Sequence, residues 1–364
     1  MIKKLSFTAI IIILLLIVVE IILSLVAFFP KGYYTNTPNS GFEWKLEHEK
    51  LIGINENAKI SFDELGARTI SNYNKKEKIA VFGGSTTACF ALSQNKTWTA
   101  LLEKKLGSEY WVGNFARPGN NSNHHILQFK HILKKPELND VKTVIIMQGV
   151  NDFLGFLGLK ENYLNSKTEQ LKPLAFQIYP KENIPFIKRL NIYKLAALAK
   201  NNVVNKFRRK NHLTKVAVDI KSKRQQATHI DSLPNLNEGL KKYTENTNTL
   251  IKLAKAKNIR LIFVEQATMW QPNLKPEYEK LLLSSGFLNN TQFYSTEAFN
   301  RGMKQFNTIT EKLCNENNVD YIKLSLPKST ESFYDDFHFN ESGANLVASK
   351  IAEYLKKIKL IVVF

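Results

Sequence analysis

Cysteine is scarce in this sequence, and its scarcity excludes two kinds of small scaffold. Cys89 and Cys314 are the only two cysteines in 364 residues. Two cysteines cannot build a disulfide framework, and zinc-finger spacing is absent. Cys89 follows Ser85 by four residues, and we expect it to pack beneath the next helix rather than to react.

Acidic residues are outnumbered by basic ones. The sequence has 51 Lys and Arg but 32 Asp and Glu, which gives a formal net charge of +19. Such a charge favours nucleic acid, an anionic membrane surface or an acidic polymer as a neighbour. RNA-binding signatures are missing, and the lysines are spread along the chain instead of clustering. We therefore predict no nucleic-acid partner and favour a membrane surface or an acidic polymer.

Patterns that hold phosphate groups or metal ions are also missing. The stretch Gly83–Thr87 is rich in glycine and hydroxyl groups but lacks the Gly-Lys-Ser/Thr ending of a P-loop. His124 and His125 are adjacent, yet no partner Cys or His follows at ligand spacing. The sequence predicts neither a metal ion nor an organic cofactor.

One long apolar run is present at the N-terminus. Leu5–Phe29 is almost continuously apolar, and as a helix it would be about 37 Å long, enough to cross a bilayer. Glu20 is the one charge inside, and no small-residue cleavage site precedes Pro30, which argues against a cleaved signal peptide. Lys3 and Lys4 place the N-terminus in the cytoplasm. We expect a membrane anchor that leaves the rest of the chain outside the cytoplasm.

Composition and periodicity divide the remaining chain. The predicted organisation is an anchor at 1–30, an irregular lead-in at 31–77, a large domain at 78–358 and a tail at 359–364. Within the domain, the pattern loosens at about 153–236, which we interpret as an insertion. Residues 206–226 within it are polar and basic, as expected for a loop or a membrane-facing patch.

Along the domain, short apolar runs alternate with amphipathic segments. The predicted strands are 79–82, 110–114, 141–147, 259–265 and 319–324. The predicted helices are 98–106, 123–133, 191–209, 237–257, 297–315 and 341–357, the last with Asn340 as its N-cap. This alternation predicts a parallel sheet of about five strands, covered by helices on both faces.

The first strand leads into Gly83, Gly84 and Ser85, and a helical pattern follows. A strand, a glycine turn, a serine and a helix present a nucleophile at the carboxyl edge of a parallel sheet. The same residues also fit an ordinary turn and helix cap. Taken alone, the stretch leaves both interpretations open.

Three further segments end strands or precede a helix, and they contain Gly119, Asn151 and the pair Asp335 and His338. Together with the Ser85 segment, these four blocks suit acyl transfer. His338 is a candidate base for Ser85, and Asp335 can hold the imidazole in one tautomer. The negative oxygen of a tetrahedral intermediate needs hydrogen-bond donors. The backbone N–H groups of Ser85 and Gly119 and the side-chain amide of Asn151 are the candidate donors.

These four blocks, in this order, resemble the SGNH (GDSL-type) hydrolase superfamily, in which separated blocks carry Ser, Gly, Asn and His. Gly84 departs from the pattern, since Asp is the commonest residue there. Residues 62–68 are similar to a lead-in found in membrane-anchored members. The resemblance implies a three-layer α/β/α, flavodoxin-like fold. It also favours Asp335 over the neighbouring Asp336 as the third residue, because the family places the acid three residues before the histidine.

The resemblance implies a serine-dependent esterase that works through an acyl-Ser85 intermediate. Its expected substrate is an O-acetyl or other short acyl ester on a cell-surface glycan, and its expected location is the periplasm or cell surface. Two alternatives stay open. One is an acyltransferase of the same fold that passes the acyl group to a glycan. The other is a non-catalytic glycan-binding or assembly protein.

Overall fold

The structure is a computed structural model that describes residues 2–26, 29–45, 51–75, 77–181, 185–197, 223–224, 226–283, 287–289 and 292–362. The chain forms two compact units, residues 1–33 with 178–216 and residues 34–177 with 217–364. The strands are β1 Ser40–Trp44, β2 Ala58–Phe62, β3 Glu77–Gly83, β4 Tyr110–Asn114, β5 Thr143–Met147, β6 Thr228–Ile230, β7 Arg260–Val264, β8 Phe287–Asn289, β9 Gln292–Tyr294 and β10 Asp320–Ile322. The helices are α1 Ile2–Leu25, α2 Ser85–Ala88, α3 Trp98–Leu106, α4 Ser122–Ile132, α5 Val150–Asn165, α6 Thr168–Ala175, α7 Phe186–Arg189, α8 Asn237–Ala256, α9 Pro276–Glu279, α10 Thr296–Asn317 and α11 Glu341–Val362.

A five-stranded parallel sheet forms the centre of the larger unit. Its strands lie in the order β10-β7-β5-β3-β4, so β3 is flanked by β4 and β5. The chain enters near the middle of the sheet and winds outward in both directions, which is the doubly wound, flavodoxin-like order. The predicted three-layer α/β fold is confirmed.

Helices cover both faces of this sheet. Successive residues of a strand point to opposite faces, so each strand packs against helices on both sides. On one face, Val81 and Ile145 pack in a buried cluster with Leu102 of α3 and Ile351 of α11. On the other face, Phe82 meets Phe129 of α4 at a ring-centroid distance of 6.3 Å. Strands that are buried on both sides need continuous apolar runs, which is what the sequence shows there.

The predicted insertion at 153–236 differs from the observed division of the chain. Phe153 and Phe156 lie on α5 and are fully buried in an aromatic cluster of the larger unit. Residues 153–177 and 217–236 therefore belong to that unit, and only 178–216 separates from it. The apolar spacing of α5 is diluted by Gly155 and Gly158, so the segment lacked a clear helical period.

The predicted lead-in is more ordered than its composition indicated. β1 and β2 pair antiparallel, with Phe42 opposite Ile60. Ala58, Ile60 and Phe62 alternate with exposed residues and form a small buried cluster. A second small sheet, in the order β6-β9-β8, was also not predicted, because its strands have three residues each and give no readable period.

The smaller unit contains α1 and the described part of 178–216. The Glu20 carboxylate accepts hydrogen bonds from the backbone N–H groups of Asn191 and Ile192, both at 2.9 Å. These contacts satisfy amino-terminal donors of the helical residues 191–197. The rest of the helix predicted for 191–209, and nearly all of the basic stretch 206–226, lie outside the described residues.

The predicted membrane span over 5–29 is not confirmed. Within the described ranges of the chain, no helix is both long and apolar enough to cross a bilayer.

Candidate active site

The four predicted segments meet at the carboxyl edge of the central sheet. Ser85 lies two residues after Gly83, the last residue of β3, and Asn151 lies in the first turn of α5, after β5. Gly119 lies in the turn between β4 and α4, and His338 lies in the loop before α11. Parallel neighbouring strands place these loops side by side, although the residues are far apart in sequence.

Ser85, His338 and Asp335 form a continuous hydrogen-bonded chain. His338 Nε2 lies 2.7 Å from Ser85 Oγ, and His338 Nδ1 lies 2.7 Å from Asp335 Oδ2. The other carboxylate oxygen, Asp335 Oδ1, accepts from the backbone N–H groups of Phe337 and His338 at 3.1 and 2.9 Å. The carboxylate is buried and fixed from two sides, so it holds the imidazole in one orientation.

The environment of His338 favours its protonated form. Burial by itself lowers the pKa of His338, but the charge and hydrogen bond of Asp335 oppose burial and raise the pKa above its ordinary value. The ring of Tyr334 stacks on the imidazole at 5.5 Å, with an interplanar angle of 9°. An imidazole with a raised pKa is a stronger base once it is neutral, which suits proton removal from a serine hydroxyl.

Asp336, the alternative acid, has a different set of partners. Its side chain accepts from Trp270 Nε1 at 2.8 Å and from the backbone N–H of Leu283. These buried contacts join two loops and leave Asp335 as the carboxylate on His338 Nδ1.

The two glycines before Ser85 serve close approach rather than an unusual backbone angle. Gly84 has φ −90°, which any residue can adopt. A Cβ on Gly84, however, would lie 2.2 Å from Asn151 Nδ2 and 3.1 Å from the carbonyl oxygen of Asn120. The missing side chain therefore lets the amide of Asn151 lie against the backbone beside Ser85.

Of the predicted oxyanion donors, Asn151 lies beside Gly84, and Gly119 directly precedes Asn120, whose carbonyl oxygen Asn151 contacts. Asn151 Nδ2 donates to the carbonyl oxygen of Asn120 at 2.8 Å, and an amide nitrogen carries a second hydrogen. Gly119, next to Asn120, has φ +80°, and a Cβ there would meet no atom within 4 Å. The N–H of Ser85 opens the first turn of α2, where backbone donors have no intrahelical acceptor.

Sequence reasoning missed the residue that joins two of these loops. The buried carboxylate of Asp152 accepts from the N–H and Oγ of Ser122 and from Tyr163 Oη at 3.0 Å. Burial raises the pKa of Asp152 to about 6, against the hydrogen bonds that lower it. Asp152 thus ties the amino end of α4 to that of α5. The only sequence feature that could have indicated this role is that Asp152 directly follows Asn151.

His124, His125 and Cys89 are buried groups near the site with structural roles. His124 Nδ1 accepts from the N–H of Asn121 in a capping box, and His125 Nδ1 lies 3.3 Å from Gln148 Oε1. Burial lowers the pKa of His124 to about 3 and that of His125 to about 4, so both are neutral. Burial raises the pKa of the Cys89 thiol to about 12. No group of three His, Cys, Asp or Glu residues suited to a metal ion occurs among the described residues.

Several solved structures are similar to this chain. One is LAE5, an alpha/beta hydrolase enzyme from the metagenome of Lake Arreo, with 10% identity, a TM-score of 0.42, and 78% of this chain and 97% of that chain covered. A second is the psychrotrophic esterase EstA from Pseudoalteromonas sp., with 15% identity, a TM-score of 0.39, and 77% and 97% covered. A third is Axe2, an acetylxylan esterase from Geobacillus stearothermophilus, with 12% identity, a TM-score of 0.40, and 78% and 95% covered.

Comparison with curated proteins gives no match. A family model described as the GDSL-like Lipase/Acylhydrolase family matches residues 81–346, a range that includes Ser85, Gly119, Asn151, Asp335 and His338. Because this match spans well over half of the chain, the protein belongs to the GDSL-like lipase/acylhydrolase family.

Proposed function

We propose that the protein is a serine-dependent carboxylic ester hydrolase with Ser85, His338 and Asp335 as its catalytic triad. The observation that carries the proposal is the unbroken chain from Ser85 Oγ through both ring nitrogens of His338 to Asp335, with both distances at 2.7 Å. A nucleophile, a base and a group that orients the base stand in this order in serine acyl-transfer enzymes.

The first half of the reaction forms the acyl-enzyme. Ser85 Oγ attacks the ester carbonyl while His338 Nε2 takes the hydroxyl proton, and Asp335 stabilises the resulting imidazolium. The tetrahedral intermediate collapses, the bond to the alcohol oxygen breaks, and the imidazolium returns the proton to the leaving alkoxide. The products are a free alcohol and an acyl-Ser85 ester.

The second half repeats these steps with water. Neutral His338 takes a proton from water, the hydroxide attacks acyl-Ser85, and the proton returns to Ser85 Oγ as the carboxylic acid leaves. The N–H groups of Ser85 and Gly119 and the amide of Asn151 would stabilise the negative oxygen in both halves. One such donor typically contributes about 2.7–4 kcal/mol to the transition state.

We further propose that the substrate is an O-acetyl or other short acyl ester on a surface glycan. The formal net charge of +19 supports an acidic polymer as a neighbour. The protein's N-terminal segment at 5–29 would hold it at a membrane, with the N-terminus in the cytoplasm and the catalytic domain outside. The apolar side chains exposed along the described part of α1 support contact with a membrane.

Hydrolysis of p-nitrophenyl acetate by the full-length chain tests the proposed chemistry. Turnover in the wild type and its loss in Ser85→Ala, with an unchanged unfolding temperature, would support it. Turnover in Ser85→Ala equal to that of the wild type would refute it. Product that forms only when a glycan hydroxyl acceptor is added would identify the acyltransferase alternative. A folded wild type that is inert with both water and acceptor would favour the non-catalytic alternative.

Membrane placement has its own test. Membranes carrying the full-length chain are washed with alkaline carbonate and then treated with protease on the extracytoplasmic side. The chain should stay with the membrane and lose the residues after 30. Release by carbonate, or protection of those residues from the protease, would contradict the placement.

A further inference from the structure

A buried arginine from the lead-in segment lies behind the nucleophile. Arg68 is 2% exposed. Its Nη1 donates to the carbonyl oxygens of Ala88 and Cys89 at 2.6 and 2.9 Å, and its Nη2 donates to that of Leu92 at 2.5 Å. Its Nε donates to Gln94 Oε1 at 3.0 Å. Every nitrogen of the guanidinium group therefore has a partner on the segment that follows Ser85.

These partners are neutral. In the described part of the chain, Arg68 has no carboxylate within ion-pair distance. Burial lowers the pKa of Arg68 to about 10, so the group remains charged at neutral pH. A buried cation without a counter-ion is costly, and carbonyl dipoles must compensate for it.

Two of the three carbonyl groups, those of Ala88 and Cys89, stand at the carboxyl end of a very short helix, and that of Leu92 follows three residues later. α2 has four residues, Ser85 is its first and Ala88 its last, and Cys89, which caps it, has the left-handed φ of +50°. The last carbonyls of a helix have no intrahelical donor, and a cation at that end is favourable. In a helix of one turn, whatever fixes the last residue also fixes the first.

The arginine itself is held rigidly. Its backbone N–H and C=O pair with the C=O and N–H of Asn114, the last residue of β4, at 2.8 and 3.2 Å. Asn114 Nδ2 in turn donates to the carbonyl oxygen of Thr87 in α2 at 2.7 Å. The nucleophile turn is thus joined to the central sheet through two buried residues.

We infer that Arg68 is a positioning residue for Ser85: its guanidinium group fixes the carboxyl end of α2, so that Ser85 Oγ stays within hydrogen-bond distance of His338 Nε2. This inference rests on the proposed function and adds a role for the lead-in, which the family model does not cover. Arginine suits the task because its planar fork reaches three carbonyl groups at once, whereas lysine offers a single nitrogen.

The test compares Arg68→Met, Arg68→Lys and the control Arg260→Met in the full-length chain. Arg260 pairs with Asp320 and is the first residue of β7. It therefore lies at the amino ends of the strands, whereas the site lies at their carboxyl ends. Three quantities are measured: kcat and KM for p-nitrophenyl acetate across pH, the rate of fluorophosphonate labelling at Ser85, and the unfolding temperature.

Misplacing a nucleophile by about 1 Å can reduce the rate about 10²-fold. We therefore expect Arg68→Met to lower kcat and the labelling rate by about that factor, with KM little changed. Arg68→Lys should lie between Arg68→Met and the wild type, and Arg260→Met should match the wild type. The acid limb of the pH profile should stay in place, because the pair of His338 and Asp335 is untouched.

Either folded Arg68 variant with a wild-type labelling rate would overturn the inference. A rate loss that comes with a displaced acid limb would overturn it too, since that pattern means general disruption of the site. If Arg68→Met does not fold, Arg68→Lys and Gln94→Met, which removes the acceptor of Nε, decide by the same readouts. A wild type that neither turns over nor labels would refute the proposed function itself, a result read before any variant.

Discussion

Gly84→Ala tests how closely the oxyanion donor approaches the nucleophile turn. The new Cβ would lie 2.2 Å from Asn151 Nδ2, whereas ordinary contact begins at 3.4 Å. The amide must therefore move by about 1.2 Å, the difference between these two distances. A movement of this size breaks its 2.8 Å hydrogen bond to the Asn120 carbonyl.

The expected effect is on catalysis rather than on folding. Asn151 Nδ2 is the end of a side chain and can move, so the unfolding temperature should change little. Loss of one oxyanion donor costs about 10²–10³-fold in kcat, and we expect a decrease in that range for ester hydrolysis. Gly84→Asp, which installs the family's commonest residue, should be at least as damaging here.

Gly155→Ala is the matched control, because it makes the same change one helical turn after Asn151. Its Cβ would meet Tyr163 at 3.7 Å, an ordinary contact. The control should keep wild-type kcat and gain slightly in stability. Wild-type kcat in Gly84→Ala would refute the assignment of Asn151 as an oxyanion donor held by this approach.

The other predictions concern the base, the donor and the thiols. The raised pKa of His338 means that kcat/KM should rise with pH through a pKa above 6.5, since only the neutral ring takes the serine proton. Asp335→Asn should shift that limb to lower pH and reduce kcat by about 10⁴-fold; an unmoved limb would contradict the role of Asp335. Asn151→Ala should reduce kcat by about 10²–10³-fold with little change in KM, and a pure KM effect would exclude the donor role. Iodoacetamide should leave activity intact, because Cys89 and Cys314 are buried and the pKa of each thiol is raised to about 12; inactivation would show an exposed, reactive thiol.

The sequence predicted those parts of the fold and site that depend on short local patterns. The five apolar runs became the five parallel strands, and Asn340 accepts from the N–H of Gly343 at 2.9 Å, as an N-cap of α11 does. Ser85, His338 and Asp335 were predicted to meet because parallel strands gather their carboxyl ends at one edge, and they do meet. Family resemblance then separated Asp335 from Asp336, which composition could not do.

The features that were missed depend on contacts between residues far apart in the sequence or on segments without a clear period. Arg68 donates to backbone carbonyl groups 20–24 residues later in the sequence. Every residue has such a carbonyl group, so the residue types do not indicate the contact. The group for which Gly84 leaves room, the amide of Asn151, is 67 residues away in the sequence and could not be identified from it. The predicted insertion was too long at its amino-terminal end, because Phe153 and Phe156 lie among glycines that weaken the helical period.

Covalent labelling of Ser85 is the most direct test of the central claim. The full-length chain is treated with a fluorophosphonate, digested, and searched by mass spectrometry for the modified residue. We predict one adduct, on Ser85, that forms at a rate falling with the protonation of His338 and is absent from Ser85→Ala. An adduct on another residue, or none on folded protein, would contradict the claim.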